Sequence, residues 1–90
     1  MIYLDNSATT FPKPPQVSMA MSRAMTKFGA NPGRSGHAMS IAAAEEIFKC
    51  REAVASFFHA DGPECVVFTL NCTQAINMVL KGYVKPGDHI

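Results

Sequence analysis

Cys65-Val66-Val67-Phe68-Thr69-Leu70-Asn71-Cys72-Thr73-Gln74-Ala75-Ile76-Asn77 runs from an apolar stretch through a polar turn into an amphipathic one. Cys65 to Leu70 is short and nearly continuously apolar, the pattern of a strand buried on both faces. Cys72 to about Lys81 reads as a helix, with Gly82 as its stop. Asn71 is placed to cap that helix, and Gln74, three residues on, is the reciprocal partner in a capping-box pattern. The first amides of a helix lack internal acceptors, and the macrodipole adds partial positive charge there. The turn is therefore a candidate phosphate seat, to which the hydroxyls of Thr69 and Thr73 could add hydrogen bonds. Most helix starts of this kind bind only water, so the pattern alone does not assign a ligand.

Working outward, Lys85-Pro86-Gly87-Asp88 is a turn and His89-Ile90 looks like the opening of another strand. Strand, helix and strand in that order make half of a parallel α/β sheet, whose strands need cover on both faces. Upstream, a helix is expected from about Ser40 to Phe58. Ile41, Ala44, Phe48, Ala55 and Phe58 line one face, and Glu45 sits one turn before Lys49 as a supporting pair. Before it, Ala30 to His37 is loop by composition. A first helix starts near Pro15 or Gln16, carries Val17, Met21, Ala24 and Phe28 as one stripe, and is stopped by Gly29. Ile2 to Leu4 is extended, and Asp5 to Thr10 is a polar loop. No repeat or linker is visible, so residues 1–90 read as one piece without an internal boundary. The class is α/β with an incomplete sheet, and the chain reads as a fragment.

Composition narrows the function classes. The chain has 90 residues, 48% of them hydrophobic and 17% charged, the balance of a globular protein rather than a disordered one. A formal charge of +1 leaves no footprint for nucleic acid or an anionic membrane. The apolar runs are too short to span a bilayer, and Met1 to Asn6 lacks the basic start and apolar stretch of a secretory signal. Cys50, Cys65 and Cys72 are odd in number with no CxxC spacing, and His37, His59 and His89 are scattered. Reduced thiols, no metal site and a cytoplasmic setting are the expectation.

Three blocks together carry a family resemblance. Tyr3-Leu4-Asp5-Asn6-Ser7-Ala8-Thr9-Thr10, followed by Pro12, looks like the opening signature of cysteine desulfurases in the class V aminotransferase superfamily. Asn31-Pro32-Gly33-Arg34-Ser35-Gly36-His37 resembles that family's Asn-Pro-x-Ser-x-His loop, with extra residues. Val67-Phe68-Thr69 through Asn77 is similar to its Phe-Thr-x-Gly-x-Thr-Glu-x-x-Asn phosphate cup, with Asn71 where a small residue is usual and Gln74 where Glu is usual. The blocks stand in the family's order and span nearly all of the chain.

The resemblance implies the amino-terminal arm and first strand–helix unit of a fold type I transferase, a mostly parallel sheet with flanking helices. It implies pyridoxal 5'-phosphate as cofactor and a homodimer with its site near the subunit interface. Cys72 and Thr73, with Asn71, would sit at the cofactor phosphate. Asn6 and Ser7 would lie on a loop facing the substrate, His37 near the entrance, and Arg34 could assist with anionic groups. The Schiff-base lysine and the nucleophilic cysteine are expected downstream, so no catalytic residue is expected among these 90, and the piece alone is expected to be inactive.

The activity implied is removal of sulfur or selenium from a cysteine-like amino acid to leave alanine, with a sulfur-acceptor protein as a possible partner. The alternatives are a class V aminotransferase or other amino-acid lyase on the same scaffold and, in a different class, a truncated non-catalytic binding or dimerisation module. A P-loop nucleotide site fails because no G-x-x-x-x-G-K-[ST] is present.

Overall fold

Helix boundaries in this chain follow its prolines, glycines and short polar caps, as the computed structural model, which describes residues 1–34 and 36–90, makes plain. Among the described residues the α-helices are α1 (Pro15–Lys27), α2 (Ala38–Phe57) and α3 (Cys72–Gly82), with a 3-10 turn at Pro63–Cys65. Contacts gather in two units, Met1–Cys50 and Arg51–Ile90, divided within α2.

In the first unit, Pro14 is the N-cap of α1 and Pro15 opens it. A missing N–H costs nothing at that position, and the fixed φ is already helical. The Phe28 amide closes the helix on the Ala24 carbonyl at 3.3 Å, and Gly29 follows directly, as its stop signal requires. Of the α1 stripe, Ala24 and Phe28 are half-buried, while Val17 and Met21 stay exposed. The Arg23 guanidinium lies 5.6 Å over the Phe28 ring and reaches Glu46 Oε1 of α2 at 3.8 Å. Lys49 takes the same Glu46 oxygen at 3.4 Å, so its partner is three residues back and not the expected Glu45. Such open pairs contribute only a few tenths of a kcal/mol to about 1 kcal/mol. What is buried here is small: Ser40 at 1% and Ala43 at 8% exposure.

In the second unit, α2 ends in a Schellman arrangement. The His59 amide donates to Ser56 O at 3.3 Å and the Ala60 amide to Ala55 O at 2.9 Å, while His59 itself stands at φ 54°. That left-handed position usually falls to glycine or asparagine. The last turn of α2 and Cys65–Val67 flank a shallow apolar groove. Arg51 places its guanidinium 5.9 Å from the Phe68 ring centre, and its Nε is buried without a hydrogen-bond partner. Downstream, Pro86 and Gly87 occupy the centre of a closed turn, with Asp88 N donating to Lys85 O at 3.1 Å and Gly87 at φ 95°, a conformation that glycine adopts without strain.

Three expectations need correction. No strand forms among the described residues: Cys65 to Leu70 and His89–Ile90 are not strands. Val66 has strand-like angles, φ −104° and ψ 119°, but a strand is completed by ladder bonds to a neighbour, and no other described segment supplies them. Val67, Phe68 and Leu70 accordingly stand 66%, 50% and 92% exposed. The α2 stripe is only partly covered: Ala55 is buried and Ala44 half-buried, but Ile41, Phe48 and Phe58 are exposed. Gly82 does not stop α3; it is the last helical residue, and Tyr83 caps it with its amide on Val79 O at 2.9 Å.

Candidate functional site

The start of α3 is built by short-range hydrogen bonds. Asn71 is extended at φ −164°, ψ 172°, and its Oδ1 accepts the Gln74 amide at 2.9 Å. Gln74 Oε1 in turn accepts the Leu70 amide at 2.8 Å. The reciprocal pair expected from the spacing is present, displaced by one residue from the usual return to the N-cap amide. Thr69 Oγ1 donates to Asn71 O at 2.9 Å, so this hydroxyl braces the turn and its proton is already engaged. Asn77 Nδ2 closes on Thr73 O at 2.9 Å.

This network leaves a defined set of donors. The amides of Cys72 and Thr73 occupy the first two helical positions, where the helix provides no acceptor. The Thr73 hydroxyl has no protein partner among the described residues, and Asn71, Cys72 and Thr73 are all exposed. The first turn carries no acidic residue, so nothing there opposes the positive end of the macrodipole. Two amides, a hydroxyl and the Asn71 Nδ2 fit a phosphate ester in number and chemistry.

Asn6, Ser7, Arg34 and His37 belong to the first unit. Asn6 Oδ1 accepts the Phe11 amide at 3.0 Å and its Nδ2 donates to Tyr3 O at 3.4 Å. Its amide therefore shapes the loop over residues 3–11, which is also closed by the Tyr3–Phe11 ring contact at 5.6 Å. Ser7 Oγ donates to Asp5 Oδ1 at 3.5 Å and, like Arg34, is exposed.

His37 is tied to α2. Its carbonyl accepts the Ile41 amide at 3.1 Å and its Nδ1 accepts the Ser40 amide at 3.4 Å, so the imidazole acts as the N-cap. With Nδ1 accepting, a neutral ring carries its proton on Nε2, and the residue is exposed.

Sequence reasoning missed Ser40. Its Oγ donates to Asn31 O at 2.7 Å, and the Asn31 side chain accepts the Gly33 amide at 2.9 Å. The available signal was a serine three residues after a loop histidine at a helix start, the spacing of a cap and its third helical residue. Among the described residues no three His, Cys, Asp or Glu side chains gather as a metal site, and no helix is long and apolar enough to cross a membrane.

The class of protein follows from comparison over the whole of this arrangement. The family described as Aminotransferase class-V matches residues 2–90, and the chain belongs to that family. It is 37% identical over 90 residues to a probable cysteine desulfurase of Methanothermobacter thermautotrophicus, covering 99% of this chain and 22% of that protein. It is 40% identical to the cysteine desulfurase IscS of Shewanella denitrificans and 41% identical to that of Proteus mirabilis, each over 95 residues, 99% of this chain and 23% of the relative. The chain thus spans less than a quarter of the length of these relatives. No solved structure matches it.

Proposed function

We propose that this chain is the amino-terminal part of a pyridoxal-phosphate-dependent cysteine desulfurase of fold type I, and that the start of α3 seats the cofactor phosphate. The observation that carries the reading is the coincidence of two things at one place. The stretch that resembles the family's phosphate cup is the one whose capping leaves the Cys72 and Thr73 amides and the Thr73 hydroxyl undirected. The relatives named cysteine desulfurase, which align over the full chain, support the activity.

Cys72 and Thr73 bind the phosphate through their amides, and the Thr73 hydroxyl adds a third bond. Asn71 holds those amides in place by capping Gln74 and offers Nδ2 as a further donor. Pyridoxal phosphate, when bound, supplies the electron sink that lets bonds at the amino-acid substrate's α and β carbons break. Asn6 fixes the curvature of the loop that carries Ser7 towards the substrate. His37 presents Nε2–H near the entrance, and Arg34 supplies positive charge for the substrate carboxylate. The substrate is a cysteine-like amino acid, the assembly a homodimer, and the sulfur passes to an acceptor protein. The three free thiols suit a reducing, cytoplasmic setting.

The test is turnover of L-cysteine by the intact polypeptide that carries residues 1–90, with sulfide and alanine measured together. Equal release of both, dependent on pyridoxal phosphate, is expected. Amino transfer to a 2-oxo acid without sulfide would replace this reading with that of an aminotransferase on the same scaffold, to which the unusual Asn71 and Gln74 lend some weight.

A further inference from the structure

The most completely buried side chain among the described residues is a serine hydroxyl, at Ser40, 1% exposed. It is not core filler. One residue closes both ends of the preceding loop: Oγ donates to Asn31 O at 2.7 Å, and the Ser40 amide donates to His37 Nδ1 at 3.4 Å. Asn31 is held in turn, since its Oδ1 accepts the Gly33 amide at 2.9 Å, directly before Arg34. Ala43, one turn further along α2, is the other buried residue of this unit. Its small side chain leaves room for close approach at that point.

The Ser40 hydroxyl is buried while Asn31 is exposed, so the bond between them is part-buried. Water replaces the lost donor only in part, and the Asn31 end of the loop depends on this hydroxyl. Without it the loop loses its Asn31 anchor and is held at the His37 end alone, by the Ser40 backbone amide.

We infer that Ser40 is a positioning residue that ties Asn31 and His37 to the first turn of α2 and so sets the place of Arg34 and His37. The inference rests on the reading above that these two residues serve the substrate side of the site.

The experiment uses the intact polypeptide and two readouts, amide hydrogen exchange over residues 31–37 and the KM for L-cysteine. Ser40→Ala removes the donor. Ser40→Cys keeps the size with a much weaker donor and serves if the alanine variant fails to fold. Ser40→Thr restores the hydroxyl.

Exchange over 31–37 should rise about tenfold in the alanine or cysteine variant, the loss expected for one hydrogen bond. KM should rise at least about threefold with kcat nearly unchanged, the signature of altered substrate binding. Threonine should recover both. A lowered Tm with unchanged exchange over 31–37 and unchanged KM would overturn the inference, because a merely structural serine behaves that way. If the unaltered protein released no sulfide, the functional reading would fail by itself. KM for the amino acid it does turn over, together with exchange, would then decide Ser40 by the same criteria.

Discussion

Asn71 holds the Gln74 amide at 2.9 Å and has an exposed side chain, so its contribution to stability is that of a cap. Asn71→Ala is expected to destabilise the intact polypeptide by about 1 kcal/mol, read as a lower midpoint in thermal unfolding. Asn71→Asp separates capping from ligand binding. The carboxylate still accepts the Gln74 amide, so Tm should hold, but its charge at the amino end of α3 should weaken the affinity for pyridoxal phosphate, more at low salt than at high. Equal affinity in the two proteins would place the phosphate elsewhere. Asn71 and Gln74 were legible in the sequence because a capping pair is fixed by spacing alone. Ser40 was not, because its partner lies nine residues away across a loop whose path no local rule supplies. Asn6 adds what resemblance alone did not supply: its oxygen and nitrogen are both engaged within its own loop, so it shapes that loop.

The helices α1, α2 and α3 lie within a residue or two of where prolines, glycines and caps put them, since those signals act through backbone geometry close in sequence. The faces they cover and the strands were harder to read. An apolar run such as Val66 to Leu70 says that a segment favours burial, but its pairing partner is non-local, and Val67 and Leu70 remain exposed. His59 illustrates a local feature with a calculable cost. It occupies the left-handed position after α2 at φ 54°, where a Cβ costs roughly 1 kcal/mol and glycine avoids that cost. His59→Gly should therefore raise the unfolding midpoint of the intact polypeptide, provided the Schellman bonds persist. A lower midpoint would show that the imidazole makes contacts that outweigh the backbone strain.

At the scale of the whole chain, the buried residues among those described are Ser40, Ala43 and Ala55, and no large aliphatic side chain is among them. Hydrophobic burial is the main favourable term in folding, and a chain this short is marginal even when well packed. Residues 1–90 produced alone should therefore show no cooperative thermal transition by calorimetry, and borohydride treatment with pyridoxal phosphate should leave no stoichiometric adduct at a single lysine. Lys13, Lys27, Lys49, Lys81 and Lys85 are spread along the chain, and the resemblance puts the Schiff-base lysine downstream of all of them. The central claim, that α3 seats the cofactor phosphate in a desulfurase-type enzyme, is tested most directly by titrating the intact polypeptide and its Thr73→Val variant with pyridoxal phosphate and with pyridoxal. The account predicts that the variant binds pyridoxal phosphate at least about tenfold more weakly, the loss of one hydrogen bond to a charged group, and binds pyridoxal as before. An equal loss for both ligands, or none for either, would contradict it.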